Sequence, residues 1–443
     1  MSGTAVSRAS LAGLHAHSTW TEWVEGSCRE VEAAEQWRQP RTFDARGPLG
    51  RLTADREGGA GLGRSDPDRD IVSFASNDYL GLSCHPAVVA AAHEALDRWG
   101  AGSGASRLVT GSRPVHAELE AALAEWKRCE RAVVFPTGFT ANLSVLSVFA
   151  AEGAQVFSDE LNHASIIDGC RAARADVAVY RHNDLEHLEH LVAASSGRSV
   201  IVSDTIFSMD GDAADLAGLV DVSRRYGALL VLDEAHAVLG PELPIAGEIG
   251  AHRDLGVDIL RVGTLSKMLG SLGGFVAGPS RFVELLVNRA RPYIFTTAPS
   301  PADAAAALAA VGIVQSSDGE ALRRRLAGLV SKVSVSIGAG GGGGGGGGGD
   351  QIGHPSPIIP VVIGEEERAM GASAHLLDHG LWVPAIRPPT VPTGTSRLRV
   401  TLSSIHTDEQ VDHLIAELVA LDAFGEHGTH SPDTIPHGSV IAS

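Results

Sequence analysis

From Arg131 onward the chain alternates short β-branched runs with helical patterns, and this alternation restricts its fold more than any other feature. The runs fall at 131–136, 154–158, 199–204, 228–233, 259–263 and 273–277. Strands separated by helix-length segments need crossover connections, which generate a mostly parallel sheet covered by helices. An α/β domain is therefore expected over residues 71–300. Ligands of such sheets bind beyond the carboxyl ends of the strands, so the residues that follow each run are the ones to read for chemistry.

The pattern changes on both sides of this region. Residues 1–70 read as a leading segment, with a helix over 19–39 and a Gly- and Asp-rich loop from Glu57 to Asp70. After Ser300 come an Ala-rich helix at 301–315, a second helix near 319–333 and ten consecutive glycines, Gly340 to Gly349. Such a tract holds no packed conformation and behaves as a flexible tether of about 18 Å r.m.s. length, expected in a surface loop. Strands at 357–363, 381–386 and 397–402 and helices near 365–379 and 407–421 follow, so residues 301–422 read as a smaller α+β domain. Residues 423–443 carry no periodicity and are expected to be disordered. A large domain plus a smaller one is also what a chain of 443 residues favours.

Charge and cysteine usage exclude several functions. A formal net charge of −18 repels polyanions, and no basic patch offsets it, so nucleic acid is not an expected partner. Small anionic ligands would be met by a few placed cations and helix N-termini. Cys28, Cys84, Cys129 and Cys170 form no Cys-x-x-Cys pair and are too few for a disulfide framework, which fits a reducing cytoplasm. Neither a signal-peptide core nor a run of roughly 18 apolar residues is present, so no membrane partner is expected. No metal site is read from the sequence.

The chain has three lysines among 35 basic residues, so lysine chemistry has few places to occur. Lys127 ends an amphipathic pattern from Ala117 to Glu130 and reads as a solvated charge. Lys332 lies in the last turn of a helix, where a cation complements the dipole. Lys267 differs. It follows the apolar run Ile259 to Gly263 through Thr264, Leu265 and Ser266, and precedes Gly270, Gly273 and Gly274. That puts an amine at the carboxyl edge of the sheet, beside hydroxyls able to hold a phosphate and glycines that let a ligand approach the backbone. A Schiff-base lysine needs such a setting, although an edge lysine in solvent would look similar in isolation.

Other strand ends carry candidates of their own. The run 228–232 delivers Asp233, with His236 three residues on, and a carboxylate there could pair with the nitrogen of a pyridinium ring. An Asp capping a turn beside a surface His is the plainer alternative. Phe135-Pro136-Thr137-Gly138-Phe139-Thr140 joins a strand to a helix and supplies N–H groups for a phosphate, or is a simple turn. His163, in Asn162-His163-Ala164-Ser165, could stack on a flat heterocycle or be an ordinary loop histidine. Ser208, in Phe207-Ser208-Met209-Asp210-Gly211-Asp212, carries the same ambiguity. Four candidate groups at successive strand ends argue against coincidence.

These motifs, with Ser76-Asn77-Asp78-Tyr79-Leu80-Gly81, Gly102-Ser103-Gly104 and Thr264-Leu265-Ser266-Lys267, resemble those of the α-oxoamine synthases, fold-type I pyridoxal-phosphate enzymes. The resemblance runs from about Arg38 to Leu421. Within the family, the segment Ala385 to Arg399, reading A-I-R-P-P-T-V-P-T-G-T-S-R-L-R, is similar to that of the biotin-pathway members, which join L-alanine to a pimeloyl thioester. The resemblance implies that Lys267 holds pyridoxal 5'-phosphate covalently, Asp233 pairs with its ring nitrogen and His163 stacks on the ring. It implies that Ser208 and His236 contact the ring hydroxyl region, and that Gly138, Phe139 and Thr264 seat the cofactor and its phosphate. Arg399, with Asn77 and His163 nearby, would hold the amino-acid carboxylate, and Arg38 and Thr390 would face the acyl group, whether carried by coenzyme A or by a carrier protein. A homodimer with a shared site is also implied. Ala237-Val238-Leu239-Gly240 after His236 is shorter than the usual loop of the family, and the glycine tract replaces an ordinary connection. A family member using glycine and another acyl-CoA, a fold-type I aminotransferase and a catalytically silent cofactor-binding protein are the alternatives.

Overall fold

The computed structural model describes residues 19–34, 37–38, 40–53, 69–151, 153–243, 255–338 and 355–423. Most of the loop expected from Glu57 to Asp70, the glycine tract and the tail lie outside the described residues.

Seven strands form the main sheet: β4 (Arg131–Phe135), β5 (Ala154–Asp159), β6 (Asp176–Tyr180), β7 (Arg198–Asp204), β8 (Leu229–Asp233), β9 (Ile259–Thr264) and β10 (Gly274–Gly278). Their order is β4-β10-β9-β8-β7-β5-β6. All neighbours pair parallel except β10, which lies antiparallel between β4 and β9. The expected mostly parallel α/β sheet is thus present, and each expected run is one of its strands. β6 is the addition. It pairs on one side only, leaves Val177 and Val179 exposed, and so lacks the continuous apolar run that marks the inner strands.

Side-chain alternation along these strands feeds separate cores. Val133 and Phe135 of β4 face one side, with Val200, Val202 and Val231, under α4 (Gly138–Phe149), α5 (Ala164–Ala173) and α8 (Ser280–Arg289). Ile201, Leu230 and Leu232 face the other side, under α6 (Leu185–Ala193) and α7 (Leu216–Tyr226). Ala132, Val134 and Phe275 join a larger core with α2 (Pro86–Trp99), α3 (Pro114–Trp126), α10 (Pro301–Val314) and α11 (Ser317–Ser336).

That larger core runs on without a break into Ile358, Leu398, Val400 and Leu414 of the C-terminal part. There β11 (Ile358–Gly364), β14 (Ser396–Thr401) and β13 (Ala385–Ile386) form a three-stranded antiparallel sheet beside α12 (Glu366–Asp378) and α13 (Asp408–Ala423). The strand expected at 381–386 is two strands. Its first piece, β12 (Leu381–Trp382), pairs parallel with β3 (Asp70–Ser73), in a sheet completed by β1 (Thr42–Ala45) and β2 (Leu49–Thr53). Pro384, which has no N–H to extend a ladder, separates the pieces, and its carbonyl accepts from the Arg399 N–H at 3.0 Å. The leading helix, α1 (Trp20–Ala33), is shorter than expected and buries no residue of its own.

Lys127 corrects the sequence reading. It is 7% exposed, lies 3.8 Å over the Trp126 ring, and its Nζ meets Glu234 Oε2 at 2.8 Å. Glu234 Oε1 also accepts from Arg261 Nε at 2.5 Å, and Arg261 donates to the Lys127 carbonyl at 2.8 Å. The compensating carboxylate comes from a distant strand end, so the helical pattern around Lys127 gave no sign of it. Lys332 lies ahead of the last turn of α11, which runs on to Ser336, rather than within it as expected, and it bonds to Asp412 at 2.6 Å. Among the described residues no helix is long and apolar enough to cross a membrane.

Candidate active site

The carboxyl ends of β5, β7 and β8 deliver Asp159, Asp204 and Asp233, and in the β7–β8 register Asp204 sits opposite Asp233. Buried carboxylates need donors, and each has them. Asp233 Oδ1 accepts from the Ala235 N–H at 2.9 Å, and Oδ2 accepts from Asn142 Nδ2 at 2.6 Å. Asp204 Oδ2 accepts from the His163 N–H at 2.8 Å. Burial, and then the charge on Asp233, push the Asp204 carboxyl well above the usual range.

Asn142, on α4, gives its second amide hydrogen to Ser165 Oγ at 2.8 Å, and Ser165 Oγ lies 2.7 Å from His163 Nδ1. The Ser165 N–H also points at Nδ1, at 3.2 Å. With the Asn142 hydrogen occupying its oxygen, Ser165 donates to Nδ1, which leaves the neutral imidazole proton on Nε2. One chain of hydrogen bonds thus fixes the tautomer of His163 and the orientation of the Asp233 carboxylate together.

Lys267 extends from the β9–β10 turn and places Nζ 2.8 Å from His236 Nε2. His236 Nδ1 meets the Tyr79 hydroxyl at 2.5 Å, and that hydroxyl donates to Asn77 Oδ1 at 3.1 Å. Donors are consistent in one direction: Lys267 to His236, His236 to Tyr79, Tyr79 to Asn77. Burial, then the Lys267 and Arg399 charges, hold His236 far below the ordinary histidine value, so it is neutral. Burial also lowers the Lys267 pKa, against the pull of Asp233 and Asp204. The turn carrying Lys267 is seated by Gly270, whose φ is +60° and whose Cβ, if it had one, would lie 2.1 Å from the Ser83 nitrogen.

Beside the lysine, α4 begins at Gly138 behind its cap Thr137, whose hydroxyl accepts from the Thr140 N–H at 3.1 Å. The N–H groups of Gly138 and Phe139 have no helical acceptor by position, and Phe139 is exposed. A Cβ on Gly138 would come 3.3 Å from that of Thr264, whose Oγ1 bonds Ser266 Oγ at 2.7 Å. Two open N–H groups and two hydroxyls therefore share one corner, the donor set a phosphate requires.

Arg399, buried on β14, closes the other side. It donates to the Ser208 carbonyl at 2.6 Å, to Thr401 Oγ1 at 3.0 Å and to Asn77 Oδ1 at 3.2 Å. Three of its five N–H donors are used and two are left for a carboxylate. The segment after Ser208 is pinned by Asp210, paired with Arg397, and by Asp212, which bonds His182.

Hydrogen bonds thus join Lys267, His236, Asn77, Arg399 and Ser208 in one group and Asp233 and His163 in another whose carboxylate charge reaches Lys267, while Gly138, followed by Phe139, lies beside Thr264. Arg38 and Thr390 do not join them: Arg38 lines a surface recess with Val31, Trp37 and Pro389, the neighbour of Thr390, and no hydrogen bond or ion pair among the described residues ties either to the Lys267 group. Asn142, Ser165 and Asp204 were missed by sequence reasoning. Asp204 ends a strand run as Asp233 does, and Ser165 closes the Asn162-His163-Ala164-Ser165 motif, so both were within reach of the sequence; Asn142 lies inside a helix and gave no signal.

The sequence matches the model of the family described as aminotransferase class I and II over residues 69–418. It is 48% identical over 356 residues to the 8-amino-7-oxononanoate synthase of Anaeromyxobacter dehalogenans, covering 80% of this chain and 87% of the relative. The chain belongs to the 8-amino-7-oxononanoate synthase branch of that family. The synthase of Geobacter sulfurreducens is 45% identical over 359 residues, covering 80% of this chain and 89% of the relative. Among solved structures, a serine palmitoyltransferase from S. paucimobilis with bound PLP-myriocin superposes with a TM-score of 0.77 at 28% identity, covering 91% of this chain and 97% of that one. A solved 8-amino-7-oxononanoate synthase from Francisella tularensis superposes with a TM-score of 0.64 at 25% identity, covering 80% of this chain and 98% of that one.

Proposed function

We propose that this chain condenses L-alanine with a pimeloyl thioester, with loss of carbon dioxide, to give 8-amino-7-oxononanoate for biotin synthesis, using pyridoxal 5'-phosphate. The observation that carries the reading is the half-buried Lys267 amine, 2.8 Å from a neutral His236 and close enough to the buried Asp233 carboxylate to be acted on by its charge.

The residues fit the cofactor. Lys267 would hold it covalently, Asp233 would pair with its ring nitrogen under the control of Asn142, His163 would stack on it, and Ser208 and His236 would meet its hydroxyl. Its phosphate would sit on the Gly138 and Phe139 N–H groups beside Thr264. When bound, pyridoxal phosphate withdraws electrons from the bonds of the amino acid α-carbon. Lys267 Nζ, with a pKa lowered by burial, would take the α-proton of alanine and return a proton after carboxylate loss. The two spare donors of Arg399, beside Asn77, would orient the alanine carboxylate. Arg38 and Thr390 would face the pimeloyl chain, whose thioester arrives on coenzyme A or a carrier protein. The active form would be a homodimer, and a sequence with only four cysteines and no Cys-x-x-Cys pair supports a cytoplasmic location.

Purified holoenzyme with L-alanine and pimeloyl-CoA should release thiol and yield a product of the mass of 8-amino-7-oxononanoate. Lys267→Ala should lose both, together with the hydride-reducible lysine adduct. Turnover of glycine with another acyl-CoA in place of alanine, or of a keto acid without thiol release, would replace this reading with one of its alternatives.

A further inference from the structure

Away from the Lys267 site, three imidazoles converge on one carboxylate. His375 and His379 stand one turn apart at the end of α12, and His413 and Glu417 stand one turn apart on α13. His375 Nε2 lies 3.4 Å and His379 Nδ1 3.9 Å from Glu417 Oε2, and His413 Nε2 lies 3.7 Å from Oε1. One ligand atom from each of His375, His379 and Glu417 falls within 4.8 Å of the others.

These separations exceed the roughly 2.7–3.2 Å of an N–H···O hydrogen bond, so direct hydrogen bonding does not account for the arrangement. They approach the edge of about 3.3 Å of a tetrahedron whose N and O corners lie about 2.0–2.1 Å from a zinc-sized ion. His379 Nδ1, the nitrogen that faces Glu417, also lies 2.8 Å from the His375 carbonyl, so binding an ion through it exchanges that hydrogen bond for a metal bond. Imidazoles with one carboxylate suit zinc, cobalt or nickel rather than magnesium or calcium.

We propose that His375, His379 and Glu417, with solvent as the fourth ligand and His413 beside the other oxygen of Glu417, form a divalent transition-metal site that staples α12 to α13. All three rings reach solvent, so an ion can enter without unfolding. α12 also carries Glu366, the partner of Arg387, in the segment that leads to Arg399. The site would buttress the C-terminal part from outside the Lys267 site.

Chelator-treated holoenzyme, free of amino acid, is titrated with Zn2+ by equilibrium dialysis and with Co2+ by visible absorption. One ion per chain is expected, with a raised Tm and a Co2+ band of tetrahedral type. His375→Ala and Glu417→Gln should each weaken binding at least about tenfold, and His413→Ala should alter the Co2+ band. Metal-free turnover of all three variants should equal that of the parent chain. Failure of the parent chain to bind either ion, or equal binding by the parent and the variants, overturns the proposal.

Discussion

Asn142 spends both hydrogens of its amide on other residues, one on Asp233 Oδ2 and one on Ser165 Oγ, and so couples two groups of the candidate active site. A hydrogen bond to a buried charged group contributes about 1.5–3 kcal/mol, and its loss leaves the acceptor uncompensated. Asn142→Ala should therefore lower kcat by about tenfold or more, by the same energies, and release pyridoxal phosphate more readily, while the KM for alanine, which the proposed function assigns to Arg399, should change little. Steady-state kinetics and cofactor retention on dialysis measure both; an unchanged kcat would remove Asn142 from the site. Lys127 is the structural counterpart. Its ammonium is buried against Glu234, whose carboxyl is held at about 2 by Arg261 and Lys127 in spite of burial. Removing one partner of a buried pair costs about 3–5 kcal/mol, and because Arg261 still faces Glu234, Lys127→Met should fall at the low end of that range in chemical denaturation. Residues at strand ends were legible in the sequence because parallel sheets collect ligands there. Asn142 and the pairing of the strand-end Glu234 with Lys127 were not, since they come from contacts between segments far apart in the chain.

At the scale of elements, the inner strands announced themselves as apolar runs buried on both faces, while β6 and the break at Pro384 depended on which neighbour each strand finds. The segment after β7 shows the same dependence. His182, just beyond β6, places Nδ1 3.0 Å from Asp159 and Nε2 2.7 Å from Asp212, while its ring meets Phe207 edge-on at 4.4 Å. It thereby pins the Ser208 segment to two strand ends. Burial opposes a charged ring there, but the hydrogen bonds to both carboxylates prevail and push its pKa up to about 10. A pKa raised on folding contributes stability that is complete below the unfolded value of about 6.5 and fades as pH climbs through the folded one. The Tm difference between the parent chain and His182→Asn should be largest at pH 6 and shrink steadily toward pH 10. A difference independent of pH would mean that the ring is neutral.

At the scale of the whole molecule, three large apolar side chains among the described residues lie exposed near one another, with only Arg291 seen over one of them, Phe295, at 4.7 Å. The bridge between Ser106 and Thr297 brings the segment carrying Leu108 and Val109, 52% and 73% exposed, beside Phe295, 69% exposed. Large apolar side chains grouped in this way mark an association surface more often than a solvated one. A net charge of −18 on each chain resists non-specific clustering, so a pairing of defined geometry is the favoured way to cover them. Light scattering should give about twice 46.0 kDa for the parent chain. Val109→Glu with Phe295→Glu should shift the mass toward one chain, because a second copy would have to bury two added charges. If the active site is completed by the partner, condensation activity should fall with the fraction of paired chains and recover as protein concentration rises; full activity in a chain that stays single at every concentration would show that each copy works alone.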